Sequence, residues 1–212
     1  MNRRERLSAA AWLALIAHCV AGAAMLLVLG RGLETNPDLA GRLDFIRDHR
    51  ILWTLAWLCW TLAGASILYF YHRFVQAHKI ALARFGRLAL GLTIVAIAFD
   101  WTAQGIEVFL LPDFSLQGAA ASFLIWHRRA VLLTGGLANA FYTSAAFILI
   151  LATRRAYPRW TVRAGWGVVL FGTGLTAAAL LDSTLGLLAS NAGLVPCLVV
   201  WLAGVALYRP RY

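Results

Sequence analysis

Asp100, Gln104 and Glu107 stand four and three residues apart in "FDWTAQGIEVFLLP", the end of a long apolar run. At about 100° per residue all three project from one face of a helix. Two carboxylates and an amide on one stripe can hold a cation, carry a proton, or act as general acid and base. An ionised side chain at the middle of a membrane helix costs about 2.5–3.5 kcal/mol, so such acids face a cavity or a partner.

His18 and Asp182 extend the pattern. Counted back from the ends of their apolar runs, His18, Asp100 and Asp182 fall about 13–18 Å deep at 1.5 Å per residue, with Glu107 about two turns above Asp100. These groups line one pocket wherever the first, third and fifth runs adjoin. Two carboxylates at one depth in a low dielectric do not both ionise easily, so binding a cation there releases a proton.

Aromatic and amide groups fit the same pocket. Trp53, Trp57, Trp60 and Gly64 share one side of the second run, and Gly135, Asn139 and Tyr142 one side of the fourth. Carboxylates beside indole faces suit an organic cation. Packing and interfacial anchoring explain tryptophans equally well, although only Trp53 lies near enough to a boundary for an ordinary belt residue. The expected ligand-binding set is His18, Trp53, Trp57, Trp60, Asp100, Gln104, Glu107, Asn139, Tyr142 and Asp182.

Other chemistries fit less well. His18, Asp100 and Asp182 resemble a divalent-metal donor set, but HxxxH and HExxH spacings are missing, so no metal is expected. Haem between two imidazoles needs a second deep histidine, and His18 is alone at its depth. His49 and His127 fall at one membrane boundary, His72 and His78 at the other. The pairs His49-Arg50 and His127-Arg128-Arg129 suit lipid phosphates, or recruitment of a phosphorylated substrate. No nucleotide loop or nucleophile elbow occurs, no catalytic residue stands out, and the cofactor is left open.

The elements that must position these groups are membrane helices. The chain of 212 residues is 61% hydrophobic and only 13% charged, against about 25% charged in soluble domains. Apolar runs at about 8–29, 51–71, 88–111, 130–152, 164–188 and 192–208 are each long enough for a hydrocarbon core about 30 Å thick. The expectation is an all-α polytopic protein with a single transmembrane domain over 1–212. Basic "MNRRER" before the first run imitates a signal peptide, but the apolar stretch is longer than a usual h-region, so it reads as the first span.

The net charge of +10 is a topology signal. Thirteen basic residues, among them Arg209 and Arg211, fall before the first span, after even-numbered spans or at the end; six fall on the other side. The positive-inside rule places both termini in the cytoplasm and removes the need for a nucleic-acid partner; composition alone suggests a bacterial-type inner membrane. Cys19, Cys59 and Cys197 all lie within spans, as buried structural thiols do.

Two signals point to internal repetition. "PDL…HR" precedes the second span and "PDF…HR" the fourth, which predicts outer interfacial segments over about 36–50 and 113–129. Asn36 and Pro37 are placed to start the first of these. Asp100 and Asp182 are 82 residues apart, each shortly after a "GLT", and the same step back falls on His18. Three repeated helical hairpins would produce both signals.

The function expected is binding or transport of a small cationic or amphipathic molecule from an outward cavity. The alternatives are an intramembrane enzyme acting on a lipid-like substrate and a structural or assembly subunit of a larger membrane complex. Membrane lipids surround the chain in every case, and a homo-oligomer or a partner membrane subunit is compatible with all three.

Overall fold

Helix signals at the two ends of each apolar run decide where the spans begin and stop. Asn2 accepts from the backbone N–H of Arg4 and Glu5 while Glu5 reaches back to the Asn2 N–H, a capping box that starts α1, Arg3–Leu27. Ser183 accepts from the Gly186 N–H and starts α9, Thr184–Leu207. Between them run α2 (Leu39–Asp48), α3 (Arg50–Ala77), α4 (Gly86–Gly105), α5 (Leu111–Leu116), α6 (Ala120–Val131), α7 (Asn139–Thr153) and α8 (Arg159–Leu180). The computed structural model describes residues 2–79 and 81–208, and no strand occurs among them. Arg209 and Arg211, counted above with the basic residues, lie outside the described residues.

Six stretches are long and apolar enough to cross a membrane: Arg3–Arg31, Arg50–Ala77, Gly86–Leu116, Ala120–Thr153, Arg159–Leu180 and Thr184–Leu207. The multi-pass reading therefore stands. Large side chains such as Ile16, Val20, Leu55, Leu62, Leu88, Leu170 and Leu185 are exposed on the outside of the bundle. Such a surface is unfavourable in water and ordinary in lipid.

Each span packs on the next, and α9 packs back on α1, so the six form a closed ring. One end carries the turns at 78–85 and 154–158 together with residues 2 and 208; it is called the terminal face here. The other carries residues 32–49, 117–119 and 181–183, and is called the loop face. Phe70, Tyr71, Phe74, Leu149, Trp201 and Leu202 fill the ring toward the terminal face. Trp53, Trp57, Ile106, Leu111 and Phe123 fill it toward the loop face.

The third and fourth spans each change pitch midway. A π-helical segment, Ile106–Leu110, joins α4 to α5, and another, Leu132–Ala138, joins α6 to α7. Such widened turns are uncommon and frequently fall at functional sites.

Of the two interfacial segments, the first forms as α2, but Asp38 is its N-cap, not Asn36. Asn36 instead accepts from the Asp38 N–H at 3.0 Å, which holds the turn before the helix. The second differs. "PDFSL" continues the third span as α5, and residues 120–129 form the first turns of the fourth, 34 residues long. That length amounts to about 50 Å of helix.

Candidate functional site

Glu107 sits in the first π segment and is almost fully buried, with 2% of its side chain exposed. Its Oε1 lies 3.0 Å from His127 Nδ1, and His127 Nε2 lies 2.7 Å from Glu34 Oε2. Glu34, in the first connection of the loop face, keeps 26% of its side chain exposed. An imidazole is thus held between two carboxylates, one buried and one reaching solvent. Each nitrogen–oxygen contact carries one proton, so the three groups share two protons and a net charge of −1.

Arg42 of α2 supplies the balancing charge. Its Nε donates to the Gly32 carbonyl at 3.0 Å, and its guanidinium lies 5.3 Å from the Phe123 ring centre. Phe123 is in turn parallel to His127, with centres 5.8 Å apart. Burial pulls Arg42 below its ordinary value, opposed by Glu34 and Glu107. Burial also pushes the Glu34 carboxyl up, but the hydrogen bond and charge of His127 outweigh it, leaving Glu34 below the usual range.

The π turn leaves the Glu107 carbonyl available, and Trp53 Nε1 donates to it at 2.7 Å. A Cβ at Gly32 would fall 2.6 Å from the Trp53 ring, so the indole edge approaches bare backbone there.

Asp100 and Gln104 are buried below this cluster. Thr134, in the second π segment, donates to Asp100 Oδ1 at 2.6 Å. The Thr61 hydroxyl is within hydrogen-bond distance of both Gln104 Oε1 and the Trp57 carbonyl. Gly64, one turn further along α3, leaves room for two polar groups. A Cβ there would meet Tyr142 Oη at 3.2 Å and Asp100 Oδ2 at 3.4 Å. Around this layer the buried Trp57 Nε1, Trp60 Nε1, Tyr142 Oη and Glu107 Oε2 find no hydrogen-bond partner among the described residues. Buried polar atoms normally have one, so these mark where water or ligand atoms belong.

The expected residues therefore divide. Trp53, Asp100, Gln104 and Glu107 face the interior of the bundle and contact residues of neighbouring spans, with Trp57, Trp60 and Tyr142 bordering the same layer. Asn139 serves a different contact: its Nδ2 donates to the Gly172 carbonyl at 2.5 Å and to Thr176 Oγ1 at 2.9 Å, tying α7 to α8. His18 is buried, but its Nδ1 bonds the Ala14 carbonyl of its own helix at 2.8 Å. Helix α1 packs mainly on α3 and α9, not on α4, so the first, third and fifth spans do not converge.

Asp182 is not deep in a span. Helix α8 ends at Leu180, and Asp182 follows with φ +56°, while the Ser183 N–H bonds the Ala178 carbonyl at 2.9 Å. That pattern is a left-handed helix stop, which aspartate tolerates better than most residues. Its side chain, 74% exposed, pairs with Arg128 at 2.9 Å.

His127 and Glu34 are the residues the spacing did not single out. "HRR" before an apolar run reads as an interfacial anchor, and its neighbours do behave so: Arg128 pairs with Asp182 and Arg129 stacks 4.4 Å from Trp126. His127 alone turns inward. Two shallow grooves lie elsewhere. One of about 330 Å³ is lined by Thr143, Ser144, Phe147, Ile148, Val169 and Thr173; another of about 290 Å³ is lined by Arg154, Arg155, Tyr157, Arg159, Val162 and Arg163. The polar layer around Asp100 is in neither, and its side chains are buried from solvent. Comparison with known protein families, with characterised proteins and with solved structures finds no match.

Proposed function

We propose that this chain is a small-molecule binding protein or transporter of a bacterial-type inner membrane, with its terminal face in the cytoplasm. The orientation rests on the thirteen-to-six division of basic residues. The binding site proposed is the layer around Asp100, and one observation carries it. A buried carboxylate lies beside the Tyr142 hydroxyl at Gly64, and that hydroxyl has no partner among the described residues.

The carboxylate calls for positive charge, and the indole faces add cation–π attraction. The unpartnered N–H and O–H groups call for an acceptor. A small organic cation that also bears an oxygen meets both demands. It enters only if the loop face parts, because the layer is closed as described.

The alternatives find less support. A subunit that meets its partner through these acids would turn them outward, and they point inward. An enzyme acting on a lipid-like substrate needs its acids open to lipid, and Asp100, Gln104 and Glu107 are buried inside the bundle.

Tryptophan fluorescence in detergent or nanodiscs, titrated with tetramethylammonium and with its 2-hydroxyethyl analogue, tests the reading. Saturable binding, tighter for the hydroxyl-bearing cation and weakened about tenfold or more in Asp100→Asn, is expected. Equal binding by Asp100→Asn overturns it.

A further inference from the structure

We infer that Glu34, His127 and Glu107 form a proton-access route from the loop face to the polar layer around Asp100. The inference rests on the binding reading above only in naming Asp100 as the destination.

Geometry supplies the route in order of depth. Glu34 is the member that reaches solvent. His127 contacts Glu34 through one ring nitrogen and Glu107 through the other, at 2.7 and 3.0 Å. An imidazole bonded at both nitrogens takes up a proton at one side and gives one up at the other, which few side chains can do near neutral pH. A proton arriving on Glu34 passes to Nε2 as the Nδ1 proton passes to Glu107 Oε1. Charge moves inward by one step and the ring stays neutral, but it ends as the Nε2–H tautomer and must turn or exchange its proton before it passes another. Glu107 then holds the proton two helical turns from Asp100, with its own Oε2 buried and unpartnered among the described residues. Thr61 and Gln104 bond each other in the intervening turn, and the route requires a water between them and Glu107.

Charged neighbours at this end are engaged in other contacts. Arg50 pairs with Asp113, Arg47 with Asp44 and Asp48, and Arg128 with Asp182, while Arg129 lies against Trp126. Arg31 lies over Phe45, and His49 packs on the same ring. Arg42 alone faces the triad, and its fixed positive charge keeps an added proton from being trapped on Glu107. No lipid-facing acid is needed.

The test uses the full chain in sealed liposomes and the proton itself as probe. Infrared difference spectra after rapid acidification outside or inside follow the protonated-carboxyl band, assigned to Asp100 by its loss in Asp100→Asn. In molecules whose loop face is outside, external acidification should raise the band quickly. Glu34→Gln and His127→Gln should both slow it by about tenfold or more with an unchanged end point, since only the transfer step is removed. Glu34→Gln lies on a partly exposed connection, so it keeps the test open if His127→Gln fails to fold.

Unchanged rates in Glu34→Gln, or a band that follows only acidification at the terminal face, overturn the route. Tetramethylammonium binding is scored separately at equilibrium. Unchanged band kinetics in Glu34→Gln with cation binding intact remove the route alone; slowed kinetics in that variant without any cation binding in the wild type remove the binding reading alone.

Discussion

Glu107 and His127 meet at 3.0 Å although twenty residues separate them, because the third and fourth spans pack against each other there. Glu107 lies in the π segment of the third span, and His127 lies one turn before the π segment of the fourth. The contact brings a buried acid of one helix to a ring that also reaches the first connection.

Asp100 and Asp182 should respond in opposite ways to substitution. Asp182 is a helix stop in the left-handed region, so Asp182→Gly should keep cation binding and leave stability unchanged or raise it by about 0.5 kcal/mol. Thr134→Val removes the hydroxyl on Asp100 and should destabilise the fold by about 1–3 kcal/mol. Unfolding of both variants in a denaturing detergent series, beside the fluorescence titration, checks the pair.

Acid should loosen the loop face. The Glu34 carboxyl is held below the ordinary value of 4.5, with burial opposing and His127 prevailing. A depressed acid contributes stability that is complete above the unfolded pKa and is lost as pH falls through the folded one. Thermal unfolding at about pH 7 and pH 4 should therefore show an acid-induced drop. The part of it due to Glu34 should disappear in Glu34→Gln; an identical drop in that variant would refute the assignment.

The terminal face carries its own titration. His78 Nδ1 donates to the Phe74 carbonyl at 2.9 Å, so Nε2 accepts from Tyr157 Oη at 3.1 Å and joins the turn after α3 to the turn after α7. Burial lowers His78 below the ordinary 6.5, with the Phe74 contact partly opposing. Stability from this neutral ring is present above about pH 6.5 and declines as the pH falls below it. Hydrogen-exchange protection, corrected for the pH dependence of intrinsic exchange, should fall in residues 81–86 and 154–158 between about pH 7 and pH 5. Tyr157→Phe should cost about 1 kcal/mol and reduce the link between the two turns.

Space beside Asp100 is set by Gly64. Its Cβ position is 3.2 Å from Tyr142 Oη and 3.4 Å from Asp100 Oδ2. Gly64→Ala needs shifts of only a few tenths of an ångström and should weaken cation binding modestly, whereas Gly64→Leu should abolish it. A crowded site differs here from a removed charge: Gly64→Leu should keep the Asp100 infrared band that Asp100→Asn loses.

Orientation is tested by cysteines placed at Ala40 and Arg155, both exposed, in a chain lacking the three native ones. A membrane-impermeant maleimide should label position 40 in intact cells and position 155 only after permeabilisation. The reverse pattern would invert the topology and send the proton route to the cytoplasm.

The spans were legible because hydropathy over twenty residues is a strong signal, and the inward stripe because Asp100, Gln104 and Glu107 keep helical spacing across most of their length. Asp182 was misplaced because Leu180 and Leu181 carry the apolar run to the last residue before the turn. Only the backbone reveals that the helix has already stopped. His127 was hidden for a different reason. Two arginines beside it make the segment look interfacial, and nothing in composition tells which of the three turns inward. Glu34 lies in a connection, where spacing says nothing about distant contacts.

A ring whose sixth member closes on its first cannot open as a hinged clamshell does. Ser8 Oγ donates to the Ala206 carbonyl at 2.9 Å, a clasp between the first and last helices that two rocking halves would have to break. Access to Asp100 should come by an iris-like dilation, in which all six neighbours slip a little at the loop face while the aromatic plug of Phe70, Phe74 and Trp201 stays shut. Spin labels on opposite spans should then separate together at one end, and a crosslink between α1 and α9 near the terminal face should leave binding intact.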